Sequence, residues 1–216
     1  MATNGPEEMT KAKPVRRSQE SRSAETRDKV LKATIQSLFT RGYSATALFN
    51  VAAEAGVSRG AAQHQFPTKI DLMLYVVSTV YADEKVIYQA KLLAIADPRE
   101  RLLAFPDIAW DVLSRPEGVA VLEIMQGARS DPDLSARLRP LQQQIELDSI
   151  GMVTDMAGGA GLDNAAVGVR LFVWAIRGLS IAQLVVESPE EVRKSVRLLR
   201  HMLKLSLDEA DRLRKG

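Results

Sequence analysis

Residues 51 to 60 read Val-Ala-Ala-Glu-Ala-Gly-Val-Ser-Arg-Gly, and their spacing decides how the surrounding chain folds. Ala52 stands four residues before Gly56, Val51 and Val57 flank the pair, and Ala62 follows ten residues after Ala52. This is the pattern of helix, tight turn, helix. The small alanine lets a second helix cross close above the first, the glycine admits a left-handed turn, and the apolar positions hold the crossing angle. The second helix, opened by Ser58 as N-cap and barely two turns long, is pushed outward. A protruding helix can enter the major groove of a duplex, where base edges are distinguishable. Ala-x-x-x-Gly spacing also occurs in helical hairpins that touch no nucleic acid, so the rest of the chain has to be read with it.

Upstream, Val30, Ala33, Leu38 and Phe39 fall near helical spacing from Ala24 onward, and Arg41-Gly42-Tyr43 supplies a basic last turn and a glycine stop. Thr46 reads as the N-cap of the next helix, which carries Leu48, Val51, Ala52 and Ala55 until Gly56 ends it. Downstream, the short third helix ends near Phe66-Pro67. Thr68 caps a fourth with a broad apolar face of Ile70, Leu72, Met73, Leu74, Val76, Val77, Val80 and Tyr81, running toward Leu93. After the Asp97-Pro98 break a helix over 99–113 contains Pro106, as a kink or a split. Others cover 116–128, 132–156, 163–186 and 189–213, with a Gly158-Gly159-Ala160-Gly161 loop before the penultimate one. The pattern predicts an all-α chain of about nine or ten helices: an N-terminal three-helix helix-turn-helix domain followed by a larger helical domain.

Composition narrows the chemistry. The 216 residues, 46% hydrophobic and 26% charged, suffice for a real core. Zero cysteines exclude a disulfide framework and a thiol nucleophile, and two histidines are too few for a histidine-rich metal centre. No apolar run is expected to approach the roughly 20 residues of a membrane span, and the first 25 residues are polar and basic without the apolar stretch of a signal peptide. The expectation is a cytoplasmic protein with no metal, no cofactor and no membrane partner. Net charge is +2, but residues 10 to 70 alone carry eleven Lys and Arg against four Asp and Glu, a local balance of +7 on a body of −5. That asymmetry hints at an anion-binding end. The polar residues 1–23 cannot offset the entropy of ordering and are expected to form a flexible basic arm.

Three stretches together resemble a family. Arg41-Gly42-Tyr43-Ser44-Ala45-Thr46, then residues 51 to 60, then Phe66-Pro67-Thr68-Lys69-Ile70-Asp71-Leu72 look like the N-terminal domain of the TetR family of transcriptional regulators, in order and in spacing from about Thr26 to Leu74. The resemblance implies a helix-turn-helix DNA-binding domain over 24–70 and a domain for effector binding and dimerisation over 71–216. It makes Thr46 a phosphate contact, Ser58 the opening of the recognition helix, Lys69 a phosphate clamp, and Arg59, Gly60, Gln63, His64 and Gln65 the helix facing DNA. Arg59 and Gln63 are the expected base readers, since arginine pairs bidentately with guanine and glutamine with adenine. Arg16, Arg17 and Arg22 are expected to reach the adjacent minor groove. The chain departs from the family where Gln63 replaces a frequent aromatic, and where Ala47 and Phe49 replace polar or basic residues.

The larger domain shows its own pattern. Val167, Leu171, Trp174, Gly178, Ile181 and Val185 recur along one side of the penultimate helix, while Val169, Phe172, Val173, Ile176 and Leu179 make the other side apolar. A helix apolar all round is covered on both sides. Its outer side and the stripe Val192, Val196, Leu199 and Leu203 of the last helix are expected to form a homodimer interface. Two-fold symmetry then sets two recognition helices about one duplex turn apart on a pseudo-palindromic operator. The resemblance places a small, mostly apolar effector among Phe105, Trp110, Leu122, Met125, Gln126, Met152, Met156, Phe172 and Arg177, where Met and aromatic walls suit an adaptable site. Arg177 pairs either with an anionic effector or, the preferred reading, with an acid such as Glu123 or Asp111.

A helical enzyme is the rival class, and its marks are missing. Neither His64 nor His201 has a glutamate three residues before it, as a di-metal carboxylate site requires. No Gly-x-Ser-x-Gly elbow or phosphate-binding glycine loop is present. A helical adaptor that binds no DNA is the second rival, and sequence-dependent binding separates it from a regulator. The reading that results is a DNA-binding repressor released by a small molecule.

Overall fold

The computed structural model describes residues 19–156 and 165–215. Among them are nine helices and no strand: α1 (Gln19–Ala45), α2 (Leu48–Glu54), α3 (Arg59–Gln65), α4 (Lys69–Leu93), α5 (Pro98–Leu113), α6 (Pro116–Gly127), α7 (Pro132–Met156), α8 (Ala165–Val185) and α9 (Pro189–Lys215). The starts follow local chemistry. Ser58 Oγ accepts the Ala61 amide at 3.2 Å. Thr68 and Asp71 close a reciprocal capping box, and Asp97 accepts the Glu100 amide at 2.8 Å. Pro98 and Pro116 occupy first-turn positions, where a missing amide proton costs nothing. Pro106 neither splits nor ends α5, which continues through it to Leu113. The glycine-rich loop expected over 158–161 lies outside the described residues.

Two boundaries differ from expectation. Helix α1 begins at Gln19, inside the stretch expected to be arm. Side chains of the next two turns tie this end of α1 to α3: Ser23 Oγ and Arg27 Nη1 both donate to Gln65 Oε1, at 3.0 and 3.1 Å. Thr46 is not the cap of α2. The N-cap position is Ala47, without a side-chain bond, and Thr46 is fully buried. Its hydroxyl donates to Gly42 O at 2.8 Å and lies 2.8 Å from Ser37 Oγ, to which Arg41 also donates. Arg41 continues to Glu54 at 2.6 Å. This polar chain fastens α1 to α2, so Thr46 holds the domain together from inside.

Two apolar cores form. The first joins Val30 and Leu38 of α1, Val51 and Ala52 of α2, Ala62 of α3 and Leu72 to Val80 of α4 with Ala120, Val121 and Ile124 of α6 and Leu134 and Leu138 of α7. The second gathers Tyr88 and Leu92 of α4, Phe105, Ala109, Trp110, Val112 and Leu113 of α5, Val153 of α7, Val169 and Ile176 of α8 and Val192 and Val196 of α9. Helix α4 runs through both.

Contrary to the expectation that no apolar run approaches a membrane span, one described helix, Ala166–Val185, is long and apolar enough to cross a membrane by length and composition alone. That character follows from its two apolar sides. Val169 and Ile176 fill the second core, whereas Val167, Leu171 and Trp174 are exposed.

Candidate nucleic-acid interface

The turn between α2 and α3 fixes how the recognition helix is presented. Gly56 takes a positive φ of 64°, which lets the Val57 amide reach back to Ala52 O at 3.0 Å and the Gly56 amide to Ala53 O at 3.1 Å. These two bonds are a Schellman closure, satisfying the last carbonyls of α2 while reversing the chain. Helix α3 then seats Ala62, fully buried, against α1 and α2.

With Ala62 inward, Arg59, Gly60, Gln63 and His64 are all exposed on α3, and Ser58 is exposed at its start. Gln65 is not among the outward residues. It is half-buried, and its Oε1 accepts Ser23 and Arg27, so it lashes α3 to α1. Lys69 is also half-buried, with its ammonium donating to Tyr43 O at 2.7 Å and standing 3.8 Å over the Tyr43 ring. Burial lowers its pKa, an effect opposed by Asp131. Arg22 is exposed in the first turns of α1, while Arg16 and Arg17 lie outside the described residues.

Two residues escaped the reading of the sequence. Phe49 on α2 is 60% exposed, and the Arg59 guanidinium sits 5.7 Å above its ring. A cation over an aromatic face is held in place, so Phe49 positions the expected base reader. The available signal was an aromatic where polar residues are usual. Tyr43 is the second. Its backbone amide donates to Glu123 Oε2 at 3.3 Å, its hydroxyl to Asp131 Oδ2 at 2.7 Å, and its ring lies over Gly127. Gly42 makes this possible with a φ of 77°, bringing its own Cα side to Glu123. Helices α1 and α6 are thereby clasped together. Desolvation and the Asp131 carboxylate push the Tyr43 pKa upward, and the Leu134 amide and Tyr43 hydroxyl hold Asp131 below the ordinary carboxylate value.

The family model for bacterial regulatory proteins of the tetR family matches residues 30–76, the stretch from α1 through the start of α4. The HTH-type transcriptional regulator CymR of Pseudomonas putida is 28% identical over 177 residues, covering 79% of this chain and 85% of its own. Similar folds occur in a transcriptional regulator from Rhodococcus sp. Rha1 (TM-score 0.68, 18% identity, 83% of this chain and 96% of that one). A transcriptional regulator from Saccharomonospora viridis, solved in complex with choline, has a TM-score of 0.62 at 21% identity over 86% and 96% of the two chains.

Residues 30–76 carry the N-terminal domain of the TetR family. The chain is a DNA-binding transcriptional regulator.

The residues expected to hold an effector fall into separate groups. Phe105 and Trp110 are buried in the second core, Met152 and Phe172 pack against it, and Leu122 is buried. Met125 instead packs on the first core and Gln126 is exposed. The reason is the course of α6, whose C-terminal end abuts α1. Met152 also lines a groove of about 470 Å³ with Lys85, Gln89, Leu93 and Arg101. The Met156 side chain lies outside the described residues. Arg177 is buried, but neither expected acid is its partner: Glu123 is taken by Tyr43 and Asp111 by Lys91. Its charge acts on buried Glu84, and its Nη1 donates to Gly118 O at 3.4 Å.

The expected pairing surface is half corrected. Val167, Leu171, Trp174, Gly178 and Val185 are exposed along α8, with Ile181 partly so. On α9, Val192 and Val196 are buried in their own second core and Leu199 packs against it, with Leu203 half-buried. An amphipathic stripe announces only that it will be covered, and here α5 and α8 cover it. The open large apolar residues of α9 are Leu198, Met202, Leu205 and, near its end, Leu213.

Proposed function

We propose that this regulator binds a pseudo-palindromic operator as a homodimer, represses by occupying it, and is released when a small molecule enters the body of the chain. The observation that carries the reading is the division of α3, where Ala62 anchors the helix while Arg59, Gly60, Gln63 and His64 remain open. In this reading residues 24–70 engage DNA and 71–216 sense and pair. Ser58 and Lys69 meet phosphate, Lys69 once freed from Tyr43, and Arg22 approaches the neighbouring groove. Thr46 and Gln65 support the domain from within. Pairing uses the open face of α8 together with Leu198, Met202 and Leu205 of α9. That a regulator of similar fold holds choline, and a multidrug binding protein of similar fold holds imidazole, supports a small-molecule effector here. Release is a population shift toward a dimer whose recognition helices no longer match the operator spacing. The expected location is the cytoplasm, where operator DNA is.

A gel-shift titration with an operator fragment and unrelated DNA, repeated at rising salt, tests the reading. The parent protein should lose affinity steeply with salt while keeping its site preference. Arg59→Ala is expected to cost about 1–3 kcal/mol on the operator and to relax preference at one base pair, whereas Lys69→Ala lowers binding to all DNA about equally. Unchanged selectivity in Arg59→Ala would remove Arg59 as a base reader.

A further inference from the structure

Helix α4 carries a row of buried side chains one turn apart: Leu72, Val76, Val80, Glu84, Tyr88 and Leu92. Glu84 is the one carboxylate in that row, and it stands where the two cores meet, since Val80 belongs to the first and Tyr88 to the second. The side chain is 7% exposed and its Oε1 has no hydrogen-bond partner. Around it stand Asp83 on its own helix, Arg115 at the N-cap of α6, Glu117 in its first turn and Arg177 of α8, all acting on its charge, with Tyr88 one turn along α4. Arg177 is equally buried, and its bond to Gly118 O is long for a guanidinium. A polar layer therefore separates the cores.

Two acceptors of this layer lack partners. Glu84 Oε1 and Glu117 Oε2 are buried without hydrogen-bond partners, and both are acceptor oxygens. An unpaired buried acceptor is costly, and a bound group that supplies N–H bonds removes the cost. An anion would add further acceptors and would face Glu84 and Glu117. On the far side of the layer Tyr88 stacks on Phe105 with ring centroids 5.9 Å apart, and Trp110 belongs to the same cluster. An aromatic wall beside a carboxylate suits a cationic head on an apolar body.

Resting on the effector reading above, we propose that Glu84 receives the effector's head group and that the effector is a cation, a protonated amine or amidine carried on an aryl or cycloalkyl body. The Glu84 carboxylate accepts from the nitrogen, and the body packs against Tyr88, Phe105 and Trp110. Burial lifts Glu84 to about 7, against the pull of Arg177 and Arg115 and with the push of Glu117 and Asp83. Only its ionised form attracts a cation, so binding displaces the Glu84 proton.

The test uses the full-length protein and matched probes with phenyl, naphthyl and cyclohexyl bodies, each bearing an aminomethyl, hydroxymethyl or carboxyl head, with binding read by calorimetry and thermal shift. At least one amine is expected to bind and to raise Tm, and the carboxylates to do neither. Its affinity rises about tenfold from pH 6 to pH 8, as an acceptor titrating near neutrality ionises. Glu84→Gln weakens the amine at least tenfold and flattens that pH profile, and Glu84→Asp keeps the profile if the Gln variant folds poorly. Failure of every amine, preferential binding of a carboxylate, or undiminished amine binding by Glu84→Gln would overturn the proposal. Operator binding measured without any probe tests the DNA reading separately: its loss counts against that reading, whereas intact operator binding with no amine response counts against this one.

Discussion

Trp174→Glu is expected to leave each chain folded and to turn the proposed dimer into monomers. Trp174 is 49% exposed and Leu171 58%, so neither is needed for the chain's own core. Together with Val167, Arg170 and Ala175 they line a shallow groove of about 390 Å³ on the outer side of α8. A large aromatic at the centre of an apolar surface is the typical energetic anchor of an interface, worth about 2 kcal/mol or more on truncation. Two-fold symmetry applies the change twice, and the glutamates are also desolvated, so pairing weakens by roughly a thousandfold or more. A monomer holds one half-site, and operator affinity falls with it. Sedimentation read beside a melting curve checks the expectation. A variant that stays dimeric with an unchanged Tm places the seam elsewhere.

The second large effect is expected from Gly127→Val. The glycine is buried on α6, and a Cβ at this position would stand only 2.4 Å from the Tyr43 ring carbons. The ring cannot move aside cheaply, because its hydroxyl, amide and carbonyl are committed to Asp131, Glu123 and Lys69. Overpacking at such a site costs about 1–3 kcal/mol, and losing the clasp adds to it. Beyond lower stability, operator affinity should no longer respond to ligand, since α6 connects the polar layer at Gly118 to α1 at Tyr43. Tyr43→Phe is the milder counterpart, keeping the ring and removing the bond to Asp131. Asp131 is depressed in the folded chain, so its contribution is present above the unfolded carboxylate value and lost as pH falls through the folded one. The gap between Tyr43→Phe and the parent therefore closes in strong acid. Denaturation at neutral and acidic pH, with gel shifts in the presence of a binding ligand, reads both effects.

Local chemistry made much of the head legible. Ser58, Gly56 and Thr68 act within four residues of themselves, so spacing alone announces their caps and turn. The outward face of α3 followed from Ala62 by helical period. Thr46 was misread because its hydroxyl partner, Ser37, lies nine residues back on another helix. Gln65 was misread for a similar reason, its partners being 38 and 42 residues away. The α9 stripe shows a different limit: periodicity says that Val192 and Val196 are covered, not by which chain. Glu84 drew no reading from the sequence, and only packing shows that it is enclosed.

The first core does not stop where the DNA-binding residues do. Ala120, Val121, Ile124, Leu134 and Leu138 close its underside. A hybrid made by grafting this head onto a relative's body would therefore meet a mismatched floor beneath Leu38, Leu72 and Val76. Swapping specificities between such proteins calls for carrying the matching surface of α6 and α7 along with the graft, or for changing only the outward side chains of α3.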